Sequence, residues 1–205
     1  MDLFGQLQGL LGSGMLQQIG GQVGAENPEQ VQTASTDIIT SMIGALSKNA
    51  SSETGAESLN QALEQDHDGS ILNNVMGLFT GGGQNPMNNQ QPGVSQNTTN
   101  GAGILKHLFG GQQQQVAQQV SQNSGMDMNS VMTMMTTYAP IVMGFLGKAK
   151  QQNNMNPAQL QQYLAQQKET TKQQNPQAGG MLGFLDQDGD GDIMDDIGGM
   201  LNKLF

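Results

Sequence analysis

The chain has 205 residues, no cysteine, and a formal net charge of −10 from 17 acidic and seven basic residues. Without cysteine it can form no disulfide, no thiolate nucleophile and no cysteine-ligated zinc site. All seven basic residues are lysine. Because clustered cations recognise phosphate backbones and anionic lipids, this charge balance argues against nucleic acid and against an anionic membrane surface as partners.

Polar amides dominate the composition, with 31 glutamines and 17 asparagines, while hydrophobic residues make up only 35%. This balance predicts small helical cores separated by polar tracts. The longest apolar run, residues 138–146, is too short to span a bilayer. The N-terminus carries Asp2 where a secretory signal requires positive charge. We therefore expect a cytoplasmic protein without a membrane span.

The first part of the chain predicts a short helix in "MDLFGQLQGLLGSGM" and a longer helix after it. Asn27 is a suitable cap for the longer helix, Pro28 fits its first position, and Gln30 stands where a capping-box partner would. The apolar residues of this helix recur three or four positions apart on one face: Val31, Ala34, Ile38, Met42 and Ala45.

A similar helix is predicted for "DMNSVMTMMTTYAPIVMGFLGK", which begins at residue 127. Asp127 is the predicted cap, and Pro140 predicts a kink because proline removes a backbone hydrogen bond. The apolar face of this helix contains Val131, Met135, Tyr138, Val142 and Phe145. No alternating runs of Val, Ile and Thr occur, so the predicted fold class is all-α.

Matching segments indicate an internal duplication. "LEQDHDGSILNNVMG", residues 63–77, aligns without gaps with "LDQDGDGDIMDDIGG", residues 185–199. The two longer helices align at a constant offset of 100, which places Gly44 on Gly144 and Lys48 on Lys148. Both matches occur in the same order along the chain, which predicts a duplicated small helical module.

Composition divides the chain further. The predicted parts are a first repeat at 1–79 with an acidic loop at 64–74, a flexible Gly/Asn/Gln-rich linker at 80–103, and a second repeat at 104–205 with a Gln-rich insertion at 151–180 and an acidic loop at 186–196. Within the insertion, Asn156 and Pro157 predict the start of a polar helix that carries Leu160, Tyr163 and Leu164.

Four stretches together resemble the bacterial YidB-like family, a domain of unknown function (937). They are "LEQDHDGSILNNVMG", "GAGILKHLFGG", "VAQQVSQNSGMDMNSVM" and "APIVMGFLGK". The resemblance covers most of the chain outside the two Gln/Asn-rich segments. It implies a small all-α fold, homeodomain-like in part, and no established activity. A homeodomain-like shape would suggest DNA binding, but this chain has no arginine and is strongly acidic.

The second acidic loop, "DQDGDGDIMDD", is the clearest chemical motif. An EF-hand loop binds Ca²⁺ through oxygens at positions 1, 3, 5 and 7 and a bidentate carboxylate at position 12, with glycine at position 6. This loop follows that order from Asp186 through Ile193 but has Ile197 at position 12. The predicted calcium ligands are Asp186, Asp188, Asp190, Asp192 and Asp196.

The first acidic loop is a weaker candidate for the same ion. Its potential ligands are Glu64, Asp66, Asp68, Ser70 and Asn74. It begins with glutamate, and its closing residues are neutral, so we expect weaker binding or none.

Both acidic loops have an alternative interpretation as solvated turns. Asp-Gly pairs form turns, and Asp192 or Ser70 could simply cap a following helix. That accounts for one or two acidic residues. Six aspartates in eleven residues repel one another by roughly 1 kcal/mol per close pair in water, which a divalent cation would offset.

The chain has two histidines, His67 within the first acidic loop and His107 in "GILKHLFGG". Either could serve as the base of a carboxylate-dependent enzyme, although such residues are more often turn or surface residues. No nucleophile elbow, phosphate-binding loop or zinc spacing is present. We expect a non-enzymatic module for scaffolding or protein interaction, whose partner is an unidentified protein or a second copy of the chain through self-association. The alternatives are a nucleic-acid-binding protein and a carboxylate-dependent enzyme.

Overall fold

The computed structural model describes residues 2–10, 12–25, 27–67, 69–72 and 100–175. Within these ranges the longer elements are eight α-helices, and no strand occurs. They are α1 (Leu3–Leu10), α2 (Ser13–Val23), α3 (Pro28–Asn49), α4 (Glu53–Gln65), α5 (Gly101–Phe109), α6 (Gln113–Ser124), α7 (Met128–Asn153) and α8 (Pro157–Gln174). The predicted all-α fold class is confirmed.

The core is centred on α3 and α7, the two longest described helices. All five residues of the predicted apolar face of α3 are buried, and so are four of the five on α7, with Phe145 half-buried. The hydroxyl groups of Ser35 and Tyr138 lie 2.7 Å apart and join the two helices inside the core. Burial of these apolar faces is the main stabilising term, at about 25 cal/mol per Å² removed from water.

The predicted caps of the two long helices are confirmed. The side chain of Asn27 accepts a hydrogen bond from the backbone N–H of Glu29, and Asp127 accepts two, from Asn129 and Ser130. Gln30 does not complete a capping box. Its side-chain amide donates to the carbonyl oxygen of Gly125 at 3.3 Å and so connects the start of α3 to the end of α6.

Helices from the two parts of the chain interlock. α3 packs against α5, α6 and α8, while α7 packs against α1, α2 and α4. α3 and α7 also contact each other, as do α4 and α8. α3 is therefore covered largely by helices from the other part of the chain, whereas α7 packs both against these helices and against α5 and α6 of its own part.

The Gln/Asn-rich segments are partly described. α5 begins at Gly101, so the end of the predicted linker at 103 lies inside a helix. α8 confirms the polar helix predicted from Asn156, which forms a capping box with Gln159. Leu160 and Leu164 are buried and Tyr163 is half-buried. The rest of the linker, 80–99, lies outside the described residues.

One described helix, α7, is long and apolar enough to cross a membrane by length and composition. In the folded chain, 67% of the 18-residue window of α7 that meets this criterion is buried. The central helix of a globular core meets the same criterion, so this feature is weak support for a membrane span.

Candidate functional site

The predicted calcium ligands are only partly within the described residues. The second acidic loop, with Asp186, Asp188, Asp190, Asp192 and Asp196, lies wholly outside them. Of the first loop, Asp68 and Asn74 also lie outside, while Glu64, Asp66 and Ser70 are described. Among the described residues, no three His, Asp or Glu side chains converge as a metal site would require. The calcium assignment therefore stays a prediction.

Glu64, the first residue of the weaker predicted site, forms an ion pair with a lysine. Lys150 on α7 is largely buried, and its Nζ donates to Oε1 of Glu64 at 2.7 Å. Asn60 donates to the same oxygen at 3.1 Å. The hydrogen bond and charge of Lys150 lower the pKa of Glu64 below its usual value. An ammonium group thus already neutralises this carboxylate.

The first acidic loop is packed onto α7 through small and apolar residues. Gly69 adopts φ = +92°, a left-handed conformation that favours glycine, and approaches Gly144 and Lys148. Ile71 is buried, and a methyl group on Gly144 would lie 2.6 Å from Cγ2 of Ile71. Glycine at position 144 is therefore required for this close contact.

A cleft of about 630 Å³ lies between α4 and α5. Its floor comes from α3 and α7 through Leu46, Asn49 and Met143. Its apolar walls are formed by leucine, isoleucine and alanine, while hydroxyl, amide, imidazole and carboxylate groups are the polar part of the lining. The remaining lining residues are Gly55, Ser58, Leu59, Ala62, Asp66, His67, Asn100, Gly103, Ile104, His107 and Leu108.

Small residues on α4 leave room for this cleft. Gly55, Ser58 and Ala62 recur three or four positions apart and line one wall. A side chain at Gly55 would also collide with the carbonyl oxygen of Asn49, so glycine allows α4 to start close to the end of α3. The Asn49 side chain in turn donates to the carbonyl oxygen of Leu108 at 3.1 Å and holds the end of α5 beside α3.

α1 and α8 are joined by hydrogen bonds and apolar packing. The backbone N–H of Leu3 donates to Oε1 of Gln167 at 2.6 Å, and Gln174 donates to Asp2 at 2.9 Å. Leu3 and Phe4 are each only 1% exposed. Burial and the nearby charge of Asp2 raise the pKa of Tyr163 on α8 to about 12.

Both histidines line the cleft, so the fold brings His67 and His107 closer together than their separation in the sequence indicates. His67 is buried, His107 is exposed, and Asp66 is the carboxylate among the described lining residues. A mechanism with paired carboxylates needs a second acid, which the described lining does not supply. The cleft was not among the features predicted from the sequence. The sequence signal that could have indicated it is the spacing of the small residues Gly55, Ser58 and Ala62 on one face of α4.

Comparison with known proteins gives a family and no characterised relative. No curated protein and no solved structure matches the chain. Residues 5–149 match the family described as "Bacterial protein of unknown function (DUF937)". The match covers more than half of the sequence and agrees with the predicted YidB-like resemblance. The chain therefore belongs to this bacterial family of unknown function, DUF937.

Proposed function

We propose that the protein is a non-enzymatic helical binding module that takes a small ligand in the α4–α5 cleft. The observation that supports this is the cleft itself, since about 630 Å³ lies within the usual range for ligand sites. Apolar side chains dominate its walls, and a few amide, hydroxyl and imidazole groups supply hydrogen bonds.

The chemistry of the lining favours an uncharged ligand with an apolar body. Leu59, Ile104 and Met143 offer apolar contact, while Ser58 and Asn100 offer donors and acceptors. Asp66 and the net charge of −10 both disfavour an anion.

A fluorescence titration with the neutral apolar dye N-phenyl-1-naphthylamine tests this function. We expect saturable binding, because the dye is smaller than the cleft and uncharged at neutral pH. Ala62→Phe fills the cleft and should weaken binding at least about tenfold, or about 1.4 kcal/mol. Ala165→Phe places the same side chain on an exposed site of α8 and should leave binding unchanged. Absent or unsaturable binding, or equal binding by both folded variants, would contradict the proposal.

We also propose that the two interlocked parts are related by duplication. Several features support this: helix order is the same in α1–α4 and α5–α8, the caps Asn27 and Asp127 are 100 residues apart, and Gly24 and Gly125 end α2 and α6 in the left-handed conformation. Contacts between the parts also come in pairs, such as α3 with α6 and α7 with α2. Scaffolding or self-association remains a prediction for this module.

Calcium binding by the second acidic loop is a second candidate function. It is favoured by the lysine found at the first loop, where Lys150 neutralises Glu64. The residue 100 positions before Lys150 is Ala50, and the residue that aligns with Glu64 is Asp186. The position that matches Lys150 is therefore alanine, so the more acidic loop has no lysine at the equivalent position. An external cation would take the place of that lysine.

Calorimetric titration of Ca²⁺ into chelator-treated protein tests this candidate. We expect saturable heat that is lost in Asp188→Ala/Asp190→Ala, because those carboxylates would be two of the ligands. The matched variant Glu64→Ala should keep the heat, since the first loop has its own lysine. Calcium-independent melting together with the absence of heat would show that the loop is a solvated turn.

A further inference from the structure

Helix α5 is held at both ends by asparagine side chains, and both asparagines line the cleft. At its start, Oδ1 of Asn100 accepts a hydrogen bond from the backbone N–H of Gly103 at 3.0 Å. At its end, Nδ2 of Asn49 donates to the carbonyl oxygens of Leu108 at 3.1 Å and His107 at 3.4 Å. Each amide therefore uses one of its two polar atoms to hold α5.

The contact with α5 fixes which way the Asn49 amide points. Carbonyl oxygens only accept hydrogen bonds, so the amide must turn Nδ2 towards His107 and Leu108. Within the described part of the chain, both side-chain hydrogen bonds of Asn49 are made by Nδ2, on the opposite side of the amide from Oδ1. Because Asn49 is exposed and lines the cleft, Oδ1 is an acceptor with a fixed orientation at the ligand site.

The other uncharged polar groups of the lining select less strictly between donors and acceptors. The hydroxyl group of Ser58 rotates and can play either role, and the imidazole of His107 can do the same according to its tautomer. Asn100 presents its amide N–H groups, since Gly103 occupies its Oδ1. Asn49 is thus the residue best placed to require a donor on the ligand.

We propose that the ligand of the cleft donates a hydrogen bond to Oδ1 of Asn49, which makes it a neutral phenol, alcohol or aryl amine with an apolar body. The inference rests on the proposed function, since it specifies the chemistry of the ligand that the cleft takes. Leu46 and Leu108 line the cleft near this amide and would contact the apolar body. A ligand without a donor would displace water from Oδ1 without replacing its hydrogen bond, and would bind more weakly.

A matched pair of ligands tests the proposal on the wild-type chain. 1-Naphthol and 1-methoxynaphthalene each compete with bound N-phenyl-1-naphthylamine, and the ether has the same rings but no donor. Its additional carbon means that apolar contact alone would favour the ether. We expect 1-naphthol to bind roughly three- to tenfold more tightly, the usual effect of one hydrogen bond. Equal affinities, or tighter binding of the ether, would overturn the proposal while saturable dye binding leaves the proposed function standing.

Asn49→Leu then assigns the preference to this residue, because leucine keeps the approximate shape and removes the acceptor. We expect the preference for 1-naphthol to disappear. The ratio of the two affinities is the readout, since the variant also loses its hydrogen bonds to α5. Asn129→Leu makes the same change at an exposed position near the start of α7 and should keep the preference.

Two further outcomes count against the proposal. A folded Asn49→Leu protein that still prefers 1-naphthol would show that another residue accepts the hydrogen bond. Absence of dye binding to the wild-type chain would contradict the proposed function as well. If Asn49→Leu does not fold, the affinity ratio of the wild-type chain decides the question.

Discussion

At the scale of single residues, Asp37 shows how packing changes a side chain's chemistry. It lies on α3, is 3% exposed, and accepts a hydrogen bond from Nδ2 of Asn123 on α6 at 2.6 Å. Burial raises the pKa of Asp37 although the hydrogen bond opposes this. The folded state therefore binds this proton more tightly than the unfolded state, whose pKa is about 4. Stability that depends on this proton is present below about pH 4 and is lost as pH rises through the raised pKa.

Replacing Asp37 with asparagine should therefore stabilise the protein at neutral pH. Asp37→Asn keeps the shape and removes the charge, so we expect Tm to rise by a few degrees at pH 7. The gain should shrink towards pH 4, where the wild-type side chain becomes protonated. Glu57→Gln removes an equal charge from an exposed site and corrects for general repulsion in this acidic chain. A gain at pH 7 no larger than that of Glu57→Gln, measured by calorimetry, would contradict the prediction.

At the scale of helices, glycine sets how closely α5 approaches α7. A side chain at Gly101 would collide with the carbonyl oxygen and the side chain of Thr136. Gly101→Ala should therefore destabilise the protein by about 1–3 kcal/mol, although alanine is the better helix former.

The control for Gly101→Ala is Gly21→Ala in α2. No atom lies within 4 Å of an added Cβ at Gly21, so the same change should raise stability by up to about 1 kcal/mol. Urea unfolding measures both variants. A stabilised Gly101→Ala protein would show that α5 can move away from α7 at little cost.

The helices were more predictable than the cleft. The caps at Asn27, Asp127 and Asn156 depend on residues a few positions apart, and the buried faces follow a local period of 3.6. The cleft depends on which helices become neighbours, since its walls lie about 40 residues apart in sequence. Likewise, nothing near Glu64 in the sequence indicates Lys150, which lies 86 positions away. Gln30 stands at the capping-box position, but its side-chain amide donates to the distant carbonyl oxygen of Gly125 instead.

At the scale of the whole molecule, the two predicted repeats are interlocked. Because α3 is covered mainly by helices of the later part, the earlier part does not bury its own core, whereas α7 also packs against α5 and α6 of its own part. We expect fragment 1–90 to be poorly helical alone and to regain helicity when it is mixed with fragment 91–205, as measured by circular dichroism. Fragments that each unfold cooperatively on their own would show instead that the repeats are independent domains.

The coverage of α3 by α5, α6 and α8 has a consequence for biosynthesis. A ribosome completes α3 at Asn49 but does not complete α8 until Gln174. During that interval the apolar face of α3 has no native cover from α5, α6 or α8, and the nascent chain exposes it to chaperones and to other chains. The high proportion of amide side chains and the negative charge would keep this nascent chain hydrated until α8 is complete.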